Sequence, residues 1–153
     1  MNNKNILTNL FYIFFPLIIG GIVSFIISGN IEYNYLNKPP LSPPGIVFPI
    51  VWSIIYLLMG ISYYILKKND NTNIIISIVY YTQLFVNALW SIIFFNLEWR
   101  LFAIIWILLL DILVIAMIYL FSKKDKVSAY LNIPYLIWIL FATYLTIGIY
   151  VLN

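Results

Sequence analysis

Five apolar runs, each about the length of a bilayer crossing, take up most of this 153-residue chain. They cover 6–28, 46–66, 74–95, 101–121 and 127–152. A spanning helix takes ~20 predominantly apolar residues. The remainder suffices for short loops and leaves no room for a soluble domain. The prediction is therefore an all-α integral membrane protein, a single five-helix bundle over 1–153. Composition agrees, because only 8% of residues are charged and 64% are hydrophobic, against about 25% charged in soluble domains.

The few charges orient the bundle. With five crossings, Lys4, Lys67, Lys68, Lys123, Lys124 and Lys126 fall on one side, and Lys38 and Arg100 on the other. The positive-inside rule then predicts the N-terminus inside and the C-terminus outside. No basic surface interleaved with aromatics points to nucleic acid. The chain has no cysteine or histidine, which excludes thiol catalysis, disulfides and metal or haem ligation by those residues. The first run lacks an Ala-x-Ala cleavage site and is longer than a signal-peptide core, so it is expected to be retained as a helix.

Loop 29–45 differs from the others. Its stretch Lys38-Pro39-Pro40-Leu41-Ser42-Pro43-Pro44-Gly45 runs straight into Phe48-Pro49-Ile50-Val51-Trp52. Four prolines hold the backbone extended and remove amide donors, which predicts a stiff lid at one end of the bundle. The other loops are short and force successive helices to be antiparallel neighbours. Pro16 and Pro134 are expected to kink the first and fifth helices. Gly20, Ser24 and Ser28, spaced by four, form a small-residue stripe that reads first as helix packing.

The 13 tyrosines and 11 phenylalanines fit the Ile-, Asn- and Lys-rich background of AT-rich codons, so the five tryptophans carry more information. Trp52, Tyr56 and Tyr63 share the second helix. Gln83, Asn87, Trp90 and Phe94 fall on one face of the third, and Tyr135, Trp138, Ala142 and Leu145 follow on the fifth. Such spacing usually means core packing or interfacial belts, and Trp99 fits a belt. Gln83 and Asn87 need partners in a bilayer, so their face turns into the bundle or a wet pocket, and Asn87 reads equally as helix glue or ligand contact. Asp111, in the middle of the fourth run, is either a functional carboxylate or a hydrogen-bonded tie between helices. No second intramembrane carboxylate, base or positioned nucleophile accompanies it, which speaks against hydrolysis or a proton relay.

Together these pieces resemble the TspO/MBR family (translocator protein / tryptophan-rich sensory protein), also called the peripheral benzodiazepine receptor family. The resemblance rests on Lys38-Pro39-Pro40 with Pro43-Pro44-Gly45, and on Phe48-Pro49-x-x-Trp52-x-x-x-Tyr56-x-x-Met59-Gly60. Gln83-x-x-x-Asn87-x-x-Trp90 with Phe94-Phe95, Asp111-x-Leu113 and Pro134-Tyr135-Leu136-x-Trp138-x-x-Phe141-Ala142 follow in order. It implies a bundle, often dimeric, whose pocket opens toward the first loop and binds porphyrins and other tetrapyrroles. It implies Tyr33, Trp52, Asn87, Trp90, Trp138 and Ala142 as ligand-binding residues, and Tyr56, Gln83 and Asp111 join them as candidates from the reading of the helices above. Some family members break down protoporphyrin IX in light, and Trp52 and Trp138 would be the photochemical residues. The expected function is thus a receptor or sensor for tetrapyrroles. Light-dependent porphyrin degradation is the alternative, and transport of porphyrin or lipid comes last. No metal or cofactor is expected. The expected partners are a porphyrin, membrane lipid and a second copy of the chain, in a bacterial plasma membrane. Two positions depart from the family pattern: Leu41 replaces a tryptophan between the proline pairs, and Glu32 replaces an aromatic before Tyr33. The fifth helix ends without Lys or Arg, so the cholesterol motif of animal members is absent.

Overall fold

A computed structural model describes residues 3–29 and 32–153, with side chains from residue 5 onward. Lys4, counted above on the basic side, and residues 30 and 31 of the first loop lie outside the described side chains. Helix α1 is Asn3–Ile27, α2 Val47–Lys68, α3 Ile74–Ser91, α4 Arg100–Ser122, α5 Lys126–Tyr130 and α6 Ile133–Leu152. A short 3-10 turn, Tyr33–Tyr35, lies in the first loop. Five segments are long and apolar enough to cross a membrane, the last combining α5 and α6.

Local chemistry sets the helix ends. The Asn73 side chain accepts from Ile76 N at 2.9 Å and caps α3, and Asp125 accepts from Ser128 N at 2.7 Å and caps α5. Lys67 and Lys68 close α2, where positive charge complements the helix dipole. Two departures from regular helices follow. The end of α3 widens into a π-helical turn over Ile92–Asn96, with Leu97 N donating to Ile92 O at 3.1 Å. The kink expected at Pro134 is instead a break: α5 stops at Tyr130, α6 starts at Ile133, and Pro134 sits in the first turn of α6, where a missing amide leaves no bond unmade. Asn132 fills the gap, donating to Ser62 Oγ at 2.8 Å and Ser128 O at 2.9 Å. Pro16 stays inside α1.

The larger core cluster occupies the end of the bundle away from the first loop, and a second, of Tyr33, Trp90, Phe94, Ile107 and Ala142, lies on the loop side. Met59, Tyr63 and Leu66 of α2 meet Tyr80 and Leu84 of α3, Val114, Met117 and Phe121 of α4, and Ile139 of α6. Tyr63 and Tyr80 stack with centroids 4.0 Å apart and planes 3° from parallel. This layer is closed, since Met59, Leu66, Val114, Met117, Phe121 and Ile139 are fully buried. On the outside, α1 packs along α2 and is the least buried span. Gly60 makes that contact possible, because any Cβ there would collide with the Ile13 carbonyl. Gly60→Leu should push α1 off α2 and cost about 1–3 kcal/mol of stability. Gly21→Leu should be silent, since a Cβ there meets nothing within 4 Å. Melting of both variants in detergent checks this, and equal melting temperatures would contradict the close approach.

Candidate functional site: a lidded aromatic cavity

The first loop is stapled at many points. Lys38 Nζ donates to the carbonyls of Tyr33, Asn34 and Leu36 at 3.0, 3.3 and 3.0 Å and lies 5.0 Å from the centre of the Tyr33 ring. Tyr33 Oη donates to Pro43 O at 2.9 Å, and Ser42 Oγ to Pro39 O at 2.6 Å. Withdrawal from water raises the pKa of the Tyr33 phenol, partly offset by the Ser42 hydroxyl, so it remains a donor at neutral pH. The loop is then latched to the end of α6. Asn37 N donates to Asn153 Oδ1 at 3.0 Å, Asn153 Nδ2 returns a bond to Asn37 O at 2.8 Å, and Tyr144 Oη donates to Pro40 O at 2.8 Å. Pro39 is buried over Gly148, where a side chain would collide with it. Leu41 takes a left-handed φ of 66° with its side chain 86% exposed, and Glu32 is exposed too. Neither departure from the family pattern therefore forms part of the wall beneath the lid.

Under this lid lies a cavity of about 470 Å³. Its wall comes from Gly20, Val23, Ser24 and Ile27 of α1, from Phe48, Pro49, Trp52 and Tyr56 of α2, and from Trp90, Ser91 and Phe95 at the end of α3. Tyr33, Asn34, Gly45 and Ile46 complete it from the loop, and among the described residues no charged side chain lines it. Trp52 stacks on Tyr56 at 5.3 Å and 26°, and Trp90 stacks on Phe94 at 5.4 Å. The Trp90 indole N–H is buried with no acceptor among the described residues, so it is free for a ligand acceptor or a water.

Behind the wall runs a buried hydrogen-bond chain. Tyr56 Oη donates to Asn87 Oδ1 at 2.6 Å, Asn87 Nδ2 to Tyr135 Oη at 2.6 Å, and Tyr135 Oη to Gln83 Oε1 at 2.8 Å. Gln83 Nε2 ends the chain on Met59 Sδ at 3.3 Å. The chain joins α2, α3 and α6 and fixes the Tyr56 ring on which Trp52 rests.

The structure thus sorts the nine predicted site residues. Tyr33, Trp52, Tyr56 and Trp90 form the wall. Gln83 and Asn87 stand behind it and orient Tyr56. Trp138 is not in the wall; it packs edge-on against Phe48, which is, with centroids 5.7 Å apart. Ala142 borders a separate void of about 20 Å³ together with Tyr33, Phe48 and Trp90. Asp111 touches neither space and accepts from Thr143 Oγ1 at 2.9 Å, linking α4 to α6. Phe48 was the residue missed by sequence reasoning, although it opens the Phe48-Pro49 motif. Its ring centre lies 5.0 Å from that of Tyr33, and it lines both spaces, as Tyr33, Trp90 and Phe95 do. The α1 wall was missed as well. Its only signal was the Gly20–Ser24 stripe, and Gly20 is small because the Tyr56 ring abuts it.

Comparison with known proteins identifies this architecture. The model of the TspO/MBR family matches residues 12–152. "Tryptophan-rich protein TspO" of Archaeoglobus fulgidus is 39% identical over 97% of this chain and 99% of its own. "Tryptophan-rich sensory protein" of Cereibacter sphaeroides is 32% identical over 72% of this chain and 70% of its own, and "Translocator protein" of Bos taurus 28% over 72% and 68%. The chain is an integral membrane protein and belongs to the TspO/MBR family.

Asn87→Leu leaves the buried Tyr56 hydroxyl without its acceptor and should cost about 1–3 kcal/mol. Adding Tyr56→Phe removes that orphan and should restore part of the loss. Denaturation in detergent of both single variants and the double reads this out. Strictly additive effects would contradict the coupling.

Proposed function

We propose that this protein is a membrane sensor or receptor that binds a porphyrin-type tetrapyrrole beneath the lid. The observation carrying this reading is a wall of aromatic faces, Tyr33, Phe48, Trp52, Tyr56, Trp90 and Phe95, with no charge among them. Such faces supply area and offset stacking for a flat π-system. The cavity volume falls within the ~300–1,000 Å³ of small-molecule sites. A porphyrin also carries two propionates, and without a cation in the wall these belong at the mouth, where Asn34 and the loop meet water. The relatives named for a sensory protein and a translocator protein support the receptor reading. Passage across the membrane is least supported, because the buried layer around Met59, Met117 and Phe121 closes the opposite end. A homodimer in a bacterial plasma membrane, with the N-terminus inside, completes the proposal. The charge distribution supports that orientation, and the bacterial relatives support the location.

One observation favours a second reading, light-dependent breakdown of the bound pigment. The Trp52 indole lies in the wall against Tyr56, placing an electron-rich ring beside an excited porphyrin. Trp138 touches Phe48 but does not line the cavity, which makes Trp52 the nearer photochemical residue.

Protoporphyrin IX titrated into the protein in darkness should quench tryptophan fluorescence and shift the pigment spectrum. Ser24→Trp, which fills the cavity from α1, should weaken binding by roughly tenfold or more, equivalent to ~1.4 kcal/mol. Unchanged affinity would remove the site assignment. Illumination then separates the two readings: an intact spectrum leaves a receptor, whereas protein-dependent bleaching that Trp52→Phe abolishes adds an enzyme.

A further inference from the structure

A second cleft, of about 590 Å³, opens where the start of α4 meets the end of α6, and it shares no lining residue with the aromatic cavity. Glu98, Trp99, Arg100, Phe102 and Ile105 line it from the α4 side, and Tyr150 and Asn153 from the end of α6. The arrangement is that of a membrane boundary. Trp99 and Tyr150 are 59% and 43% exposed, at the level where amphipathic rings collect. Phe102 and Ile105 continue as an exposed apolar strip into the span.

Arg100 is the anomaly. Its Nε is withdrawn from solvent with no acceptor, and the guanidinium makes no hydrogen bond or ion pair with any described residue. Glu98, two residues away, takes a left-handed φ of 54° and does not pair with it. A planar guanidinium with unused donors matches the geometry of a phosphodiester.

We propose that this cleft is a binding site for an anionic phospholipid, with Arg100 on the phosphate and an acyl chain along Phe102 and Ile105. Charge complementarity selects the headgroup, and the apolar strip requires a chain. A free phosphate would use Arg100 alone and leave Phe102 and Ile105 uncovered. A glycerol headgroup also offers the Glu98 carboxylate hydroxyl donors. Phosphatidylglycerol is therefore the fitting probe.

Native mass spectrometry of the full-length protein, mixed with equal amounts of phosphatidylglycerol and phosphatidylcholine, tests this. Phosphatidylglycerol adducts should dominate. Arg100→Gln should reduce them roughly tenfold, as expected for loss of a charge-assisted bond. Ile105→Trp, which keeps Arg100 and fills the strip, should reduce them too, so the test survives if Arg100→Gln does not fold. Equal binding of the two lipids, or adducts unchanged in a folded variant, would overturn the proposal. So would displacement of the lipid by millimolar inorganic phosphate, which would assign the cleft to a free anion.

Discussion

In a bilayer, a side-chain amide has no water to fall back on, so the placement of Asn87 constrains everything around it. Its two ends are taken by Tyr56 and Tyr135, and Tyr135 passes the chain on to Gln83. Three spans are thereby held in one rotational setting. Apolar packing in lipid is weakly directional, since lipid tails are as apolar as the side chains they would replace. The hydrogen-bond chain supplies the missing direction. It turns the Tyr56 ring toward α1, where Gly20 makes room for it, and Trp52 then lies flat on that ring. The aromatic wall is thus a consequence of a buried polar network one layer further in.

The lid follows a different logic, because it stands at the water boundary and is built from backbone carbonyls. Prolines remove donors but leave acceptors: the carbonyls of Pro39, Pro40 and Pro43 are taken by the hydroxyls of Ser42, Tyr144 and Tyr33, while Lys38 takes those of Tyr33, Asn34 and Leu36 at once. Latching to Asn153 and Tyr144 ties the loop to α6, so the mouth of the cavity and the end of the bundle form one unit. Tyr33 and Phe48 meet edge-on where the lid joins α2, and Trp138 packs on the Phe48 ring without lining the main cavity.

Much of this was legible in the sequence. Hydropathy located five spans because length and apolarity suffice for that, and the face of α3 carrying Gln83, Asn87 and Trp90 was visible from spacing. The family motifs placed Tyr33, Trp52, Tyr56 and Trp90 together, and they do share one wall. Other features could not be read. The π-helical turn at Ile92–Asn96 leaves no mark in the apolar spacing of the sequence. The break before α6 had a signal, since the residue before a proline resists helical geometry, but a break and a kink look alike in sequence. Periodicity turns Trp138 inward, but does not show that it meets Phe48 of another helix rather than the cavity itself. Asp111 was ambiguous for the same reason. Its partner, Thr143, lies on a different span and becomes visible only once α4 and α6 are packed.

The central claim is that the lidded cavity, and no other surface, receives the tetrapyrrole. A structure determined with protoporphyrin IX bound in darkness tests it most directly. The account predicts the macrocycle beneath the loop, with Tyr33, Trp52 and Trp90 against its faces and its propionates at the mouth near Asn34. Macrocycle density on the outer face of the bundle or in the cleft beside Arg100, with the cavity beneath the lid unchanged, would contradict it.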